Sequence, residues 1–245
     1  MNRAYIGKIP VDLLSWEEIL SRLHGFVTEK NTPHQIVTLN SLMYNFAVSD
    51  TELEKAIASS SLVLPDSVGI SFASRLLSKS KNTSRKPGID LLLKLCALSH
   101  EHKYRIFILG SRQEVIRQTA ENLKKLYPNM LLTGYLNGYF TNNLEVIEAI
   151  KQTSPDILFV GLDVPRQEKW IYENLHTLKV PVVMGIGGSF DVISGKLKRA
   201  PRLMQAVGLE WLYRLIQEPW RINRIKDLPV FAIKALKIVL SGNHG

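Results

Sequence analysis

The chain has 245 residues, 45% of them apolar and 22% charged, the composition of one globular domain, or of one domain with an appendage. Its single cysteine excludes a disulfide framework and any multi-cysteine metal site, and no apolar run reaches the roughly 18–20 residues of a membrane span. Residues 196–245 carry +7 of the net charge of +9, so a near-neutral body bears a basic tail suited to an anionic partner: nucleic acid, anionic membrane or phosphorylated substrate.

The first ten residues lack the apolar core of a signal peptide, and a cytoplasmic protein is expected. Ser15-Trp-Glu-Glu18 reads as a capping box opening a helix to about Thr28. Gln35–Leu39 and Leu62–Leu64 read as strands. Cys96, within the apolar stretch Leu91–Leu98, reads as a small buried hydrophobe. Tyr104–Gly110 reads as a buried strand ending at glycine, followed by an amphipathic helix over 112–127. Asp156–Gly161 reads as a second such strand with its helix over 166–178, and Pro181–Gly188 as a third strand. Short apolar strands alternating with helices predict an α/β domain over residues 1–195, a mostly parallel Rossmann-like sheet covered by helices.

Residues 196–245 predict a basic helical, membrane-associating appendage. It begins with a helix over Arg202–Gln217, interrupted at Pro219 and followed by the basic turn Arg221-Ile-Asn-Arg224. The final helix, Leu228–Leu240, is nearly all apolar, with Lys226, Lys234 and Lys237 on one side. It is too short to span a bilayer and suits an interfacial position.

Ligands of parallel sheets bind beyond the carboxyl ends of the strands. That rule directs attention to Thr38–Asn40, Pro65–Gly69, Gly110–Arg112, Gly161–Gln167 and Gly185–Asp191. Asp66, between a strand and a helix, reads either as an N-cap or as a general base. Thr38 and Asn40 read as a strand-end turn or as hydrogen-bonding partners of a sugar. Gly185-Ile-Gly-Gly-Ser-Phe-Asp191 resembles a phosphate cradle, but Phe190 stands where the dinucleotide fingerprint needs its last glycine. Gln167 and Glu168 read as exposed helix-start residues or as site residues. Arg85 lies in the basic loop Lys79–Lys86, which reads as a solvated charge run or as an anion contact. The six histidines lack zinc-ligand spacing, and no Asp-x-Asp occurs, so neither a metal nor another cofactor is expected. There is no Gly-x-Ser-x-Gly elbow and no P-loop.

The loops form an ordered set: Thr38-Leu-Asn40, Pro65-Asp66-x-x-Gly69, Arg85-x-x-Gly88-x-Asp90 and Gly161-x-x-x-Pro165-x-Gln167-Glu168-x-Trp170. Gly187-Gly188-x-Phe190-Asp191, Gly195-Lys196-x-x-Arg199-Ala200-Pro201 and Gly208-Leu-Glu-Trp-Leu-Tyr-Arg214 follow. Each motif alone is weak; together, over residues 1–240, they resemble the WecG/TagA/CpsF glycosyltransferase family, most of all its TagA branch. The resemblance implies an inverting, metal-independent enzyme. It would move N-acetylmannosamine from UDP onto N-acetylglucosaminyl-diphospho-undecaprenol, a β-1,4 linkage made in wall teichoic acid linkage-unit synthesis. It implies Asp66 as the base, Thr38 and Asn40 in the sugar pocket, and Arg85 near the acceptor. Gln167, Gly187, Gly188 and Asp191 fall on the nucleotide side, with Gly110 and Tyr139 as further substrate-binding candidates. Arg214, Arg221 and Arg224 would close over the site and neutralise diphosphate. It also implies a peripheral enzyme on the inner face of the plasma membrane, associating through its α/β core and binding no nucleic acid. Ser67 stands where glycine is common in the family, and Pro87 and Ile89 where Thr and a small polar residue are common.

The same residues are compatible with other readings. The donor could be UDP-N-acetylmannosaminuronate or UDP-glucose, for another surface polysaccharide. A nicotinamide oxidoreductase would use the glycine loops, against the failed fingerprint. A non-enzymatic adaptor held by its tail would leave the core motifs unexplained.

Overall fold

The computed structural model describes residues 2–78, 83–222 and 228–241. Its centre is a six-stranded parallel sheet of β3 (His34–Leu39), β4 (Leu62–Pro65), β5 (Arg105–Gly110), β6 (Leu131–Leu136), β7 (Ile157–Gly161) and β8 (Val182–Gly185). The order across it is β4-β3-β8-β7-β5-β6. Every residue of β4, β7 and β8 is buried, the signature of strands covered on both faces.

Alternate strand residues feed two different faces. Ile36, Leu64, Ile108, Phe159 and Met184 meet α1 (Trp16–Glu29), α5 (Gly88–His102) and α6 (Gln113–Leu126). Val37, Leu39 and Val63 meet α2 (Ser41–Ser49), α3 (Thr51–Ala58) and α4 (Val68–Leu77) on the opposite face. Further along that face, Leu109, Val160 and Val183 meet α7 (Asn143–Thr153) and α8 (Arg166–Leu178). The expected capping box is present: Ser15 Oγ accepts from Glu18 N–H, and the Glu18 carboxylate accepts from Ser15 N–H. Cys96 is buried.

A hairpin of β1 (Arg3–Ile6) and β2 (Ile9–Asp12) turns at Gly7-Lys8, with Gly7 at φ +62°. Buried Asp12 pairs with Arg3 at 2.7 Å and accepts from Val63 N–H at 2.8 Å. The hairpin thereby covers the open edge of β4, where free backbone groups would invite strand pairing.

The single helix expected over Arg202–Gln217 is instead two, α10 (Arg202–Ala206) and α11 (Glu210–Gln217). Gly208 separates them at φ +77°, with Val68 of α4 against its α-carbon. Gly208→Ala is expected to destabilise the fold by about 1–3 kcal/mol through left-handed strain and overlap. Thermal denaturation checks this, and Val68→Ala in the same chain should recover the overlap part only. A 3-10 turn over Pro219–Arg221 follows, then α12 (Leu228–Ser241), which packs on α2 and α4 through buried Phe231 and Ala235. The third strand expected over Pro181–Gly188 is shorter, because Ile186–Gly188 turn into α9 (Ser189–Ile193).

Candidate active site

The first strand of the sheet, β3, lies beside the last, β8, and the loops leaving the carboxyl ends of β3, β4 and β8 converge there. They line a cavity of about 700 Å³, whose remaining walls come from α4, α11 and α12. Thr38, Asn40, Asp66, Arg85, Gln167, Gly187, Gly188, Arg214 and Arg221 all face it. Residues up to 183 positions apart in the chain are therefore brought to one place.

Asp66 is not the helix cap. Ser67 takes that role for α4, accepting from Ile70 N–H at 3.3 Å and sharing a 3.0 Å hydrogen bond with Ser41. Asp66 Oδ1 instead accepts from Gly88 N–H at 2.9 Å, where α5 begins. Burial pushes its carboxyl up to about 6, against the Gly88 hydrogen bond and the Arg85 charge; Glu210 and Asp90 add to the rise. A carboxylate so placed is ionised near neutrality yet a stronger base than an exposed one. Thr38 lies against Gly88, leaving no room for a Cβ there. Asn40 caps α2, its Oδ1 accepting from Met43 N–H at 3.0 Å.

Arg85 is not part of a solvated run. Its Nε donates to the Asp66 carbonyl at 3.1 Å, its Nη1 to the Gln205 carbonyl at 3.2 Å, and its Nη2 pairs with Glu210. Arg199 joins the same cluster, at 2.6 Å from Asp90 and 3.8 Å from Glu210. This network ties the Asp66 loop to α10 and α11. Glu210 was overlooked as a site residue, although it lies inside the Gly208–Arg214 motif.

Gln167 and Glu168 are buried, not exposed on the first turn of α8. Gly185 makes the space, since any Cβ there would meet both side chains. Gln167 Oε1 accepts from Gly187 N–H at 2.9 Å, and its Nε2 donates to Glu168 at 2.9 and 3.1 Å. Burial pushes Glu168 up to about 7, against the Gln167 hydrogen bond. The glycine loop is therefore held from below by Gln167, and the Gly187 N–H is already engaged.

Arg214 approaches the Gly188 carbonyl at 3.5 Å and Glu218 at 3.2 Å. Arg221 pairs with the same Glu218. Burial alone would raise Glu218, but the two arginines outweigh it and hold the carboxyl below its ordinary value.

Three candidates lie outside the cavity lining. Gly110, at φ +142°, packs its backbone on Gly161 at the end of β5. Tyr139 is 71% exposed in the loop after β6. Asp191 pairs with Lys196 at 2.9 Å in α9. Arg224, like Lys226, lies outside the described residues.

Known proteins carry the same arrangement of sequence. The model of the glycosyl transferase WecG/TagA/CpsF family matches residues 4–245. An N-acetylglucosaminyldiphosphoundecaprenol N-acetyl-beta-D-mannosaminyltransferase of Bacillus subtilis (strain 168) is 38% identical over 237 residues, covering 97% of this chain and 92% of the relative. The enzyme of that name from Staphylococcus aureus (strain MW2) is 34% identical over 240 residues, covering 96% and 94%. The one from Bacillus spizizenii is 35% identical over 218 residues, covering 89% and 84%. Likeness of this extent reaches every loop that builds the cavity and both ends of the fold, so the chain belongs to the WecG/TagA/CpsF family of glycosyl transferases.

Proposed function

We propose that the protein transfers N-acetylmannosamine from UDP to N-acetylglucosaminyl-diphospho-undecaprenol with inversion and without a metal ion. The product would be the β-1,4-linked disaccharide lipid of the wall teichoic acid linkage unit. The observation that carries this reading is the isolation of Asp66. The cavity is lined by two carboxylates among the described residues, Asp66 and Glu210, and Glu210 is paired with Arg85. One base and no second carboxylate partner suit a single displacement.

In that reaction Asp66 takes the proton from the acceptor hydroxyl. The freed oxygen attacks the anomeric carbon on the face opposite UDP, the bond to UDP breaks, and UDP leaves with the electron pair. Thr38 and Asn40 border the sugar. Arg214 and Arg221 face the negative charge of diphosphate, where charge-assisted hydrogen bonds are strongest. Glu168 and Gln167 keep the glycine loop in shape rather than touching the reacting atoms.

The lipid acceptor calls for contact with a membrane surface. No helix among the described residues is long and apolar enough to cross one. A peripheral position is supported by exposed Trp211, Trp220, Ile222 and Ile233 around the basic appendage. The proposal includes residues 196–245 as the membrane-facing unit and self-association through the α/β core.

Incubating the protein with lipid-linked N-acetylglucosaminyl diphosphate and a panel of UDP-sugars, then weighing the product, tests the reading. N-acetylmannosamine is expected to be added; transfer of its uronate or of glucose instead would replace the donor assignment. Activity is also expected to survive excess EDTA, since arginines rather than a metal ion meet the charge. Loss on chelation, restored by Mg²⁺ or Mn²⁺, would refute the metal-free mechanism.

A further inference from the structure

The cavity does not end at its polar groups. It is also lined by α4 and α12, and the side chains they contribute are almost wholly apolar. On α4, Val68, Phe72 and Leu76 recur every fourth residue and so share one side of the helix. On α12, Leu228, Phe231, Ala232, Ala235 and Leu236 follow the three-and-four spacing of a single stripe. The two helices touch where Phe231 lies over Gly69, leaving no room for a Cβ at that glycine.

These stripes are not ordinary core. Phe231 and Ala235 are buried, yet Phe72 is 61% exposed, Leu236 55% and Leu76 48%. Apolar side chains left open along a cleft that runs into a polar site mark a binding surface.

We infer that this α4–α12 cleft binds the first isoprene units of the lipid acceptor. The inference rests on the acceptor reading given above. The three chemistries that line this one cavity carry it. Asp66, the arginines Arg214 and Arg221, and the apolar stripes of α4 and α12 all border the same space. Those three chemistries match a molecule made of sugar, diphosphate and polyprenyl chain. From Val68 to Leu76 the helix advances about 12 Å, the reach of two to three isoprene units. A chain seated there would set the register of the diphosphate on the arginines, and so of the acceptor hydroxyl on Asp66.

Two acceptors separate this from simple membrane attachment: N-acetylglucosaminyl diphosphate carrying a methyl group, or a fifteen-carbon prenyl chain. Both are assayed in buffer without vesicles or micelles. The prenyl acceptor should have a KM lower by about tenfold or more, since several apolar groups leave water. Phe72→Gln combined with Leu236→Gln changes exposed side chains only, and should bring the two KM values together. Titration calorimetry with a fifteen-carbon prenyl diphosphate lacking sugar should show saturable binding that the double variant weakens.

Equal KM values for the two acceptors in the parent protein would overturn the inference. So would a double variant that loses vesicle sedimentation while keeping the prenyl preference, because the side chains would then face a bilayer. If neither acceptor is glycosylated but prenyl diphosphate binds in a Phe72-dependent way, the acceptor reading fails while the cleft stands. If prenyl diphosphate does not bind, the cleft fails whatever the acceptor.

Discussion

Asp66→Asn is expected to lower turnover by roughly 10²–10⁴-fold, the range for loss of a positioned general base. UDP binding should barely change, because the carboxylate faces the acceptor side in the proposed mechanism. The asparagine keeps an oxygen for Gly88 N–H, whose 2.9 Å hydrogen bond joins the two loops. Lost activity in that variant would therefore report lost basicity rather than a collapsed loop. The pH profile gives a second readout. With its carboxyl pushed up to about 6, Asp66 must be ionised to act, so kcat/KM should fall as pH drops through 6. The Asn variant should lack that acid limb. Near-normal turnover in a folded Asp66→Asn protein would return this residue to a structural role.

The same residue has a stability consequence of opposite sign. Its folded value of about 6 lies above its ordinary 3.8, because burial penalises the charged form. Stability from the neutral carboxyl is complete below 3.8 and is lost as pH rises through 6. At about 1.4 kcal/mol per pH unit, ionising it within the fold costs up to ~3 kcal/mol near pH 8. Asp66→Asn should accordingly be more stable than the parent at pH 8, with the gain vanishing in acid. A residue kept only to cap or tie a loop would show the reverse.

Much of this site was legible because it sits where apolar strands stop. The buried runs of β5, β7 and β8 are visible as sequence, and each ends in glycine. The loops after β7 and β8 do reach the cavity, through Gln167, Gly187 and Gly188, whereas the one after β5 does not. What was hidden depended on distant packing. Asp66 and Ser67 are adjacent and both are good caps; only the approach of Gly88 decides which one caps α4. Gln167 looked exposed because nothing local reveals that Gly185 leaves it a space. Arg85 meets Glu210 across 125 positions, so nothing in either local stretch reveals the pair.

The missed elements have physical reasons too. The β1–β2 hairpin is only four residues a side, though Gly7-Lys8 between two isoleucines is a two-residue turn signal. Edge strand β6 is half exposed and carries Gly134, with Phe107 packed on it, so it lacks a buried apolar run. The uninterrupted helix expected over Arg202–Gln217 followed from periodicity alone. Gly208 is tolerated within such a pattern, and its turn is fixed by Val68, which belongs to another helix.

Replacing either Arg214 or Arg221 by alanine is expected to cost about 10²–10³-fold in turnover, the effect of losing one donor at developing charge. The reason lies in Glu218. Arg214 and Arg221 both pair with this one carboxylate, so the three side chains together carry a charge of +1. Removing either arginine leaves one positive and one negative group, with no net charge toward diphosphate. Removing both leaves Glu218 unpaired, a charge of −1 toward diphosphate, so the double variant should be less active than either single. Glu218→Gln supplies the control. In an Arg221→Ala background it releases Arg214 from its ion pair and restores the +1 charge. Part of the lost turnover should return, although an ion pair that holds Arg214 beside Gly188 is gone. UDP affinity measured alongside shows whether the charge serves donor binding or the bond-breaking step. A loss confined to kcat would place it on the departing diphosphate. Single variants near full activity, or a Glu218→Gln change that lowers the Arg221→Ala protein further, would mean that the pair only fastens α11 to the 3-10 turn after it.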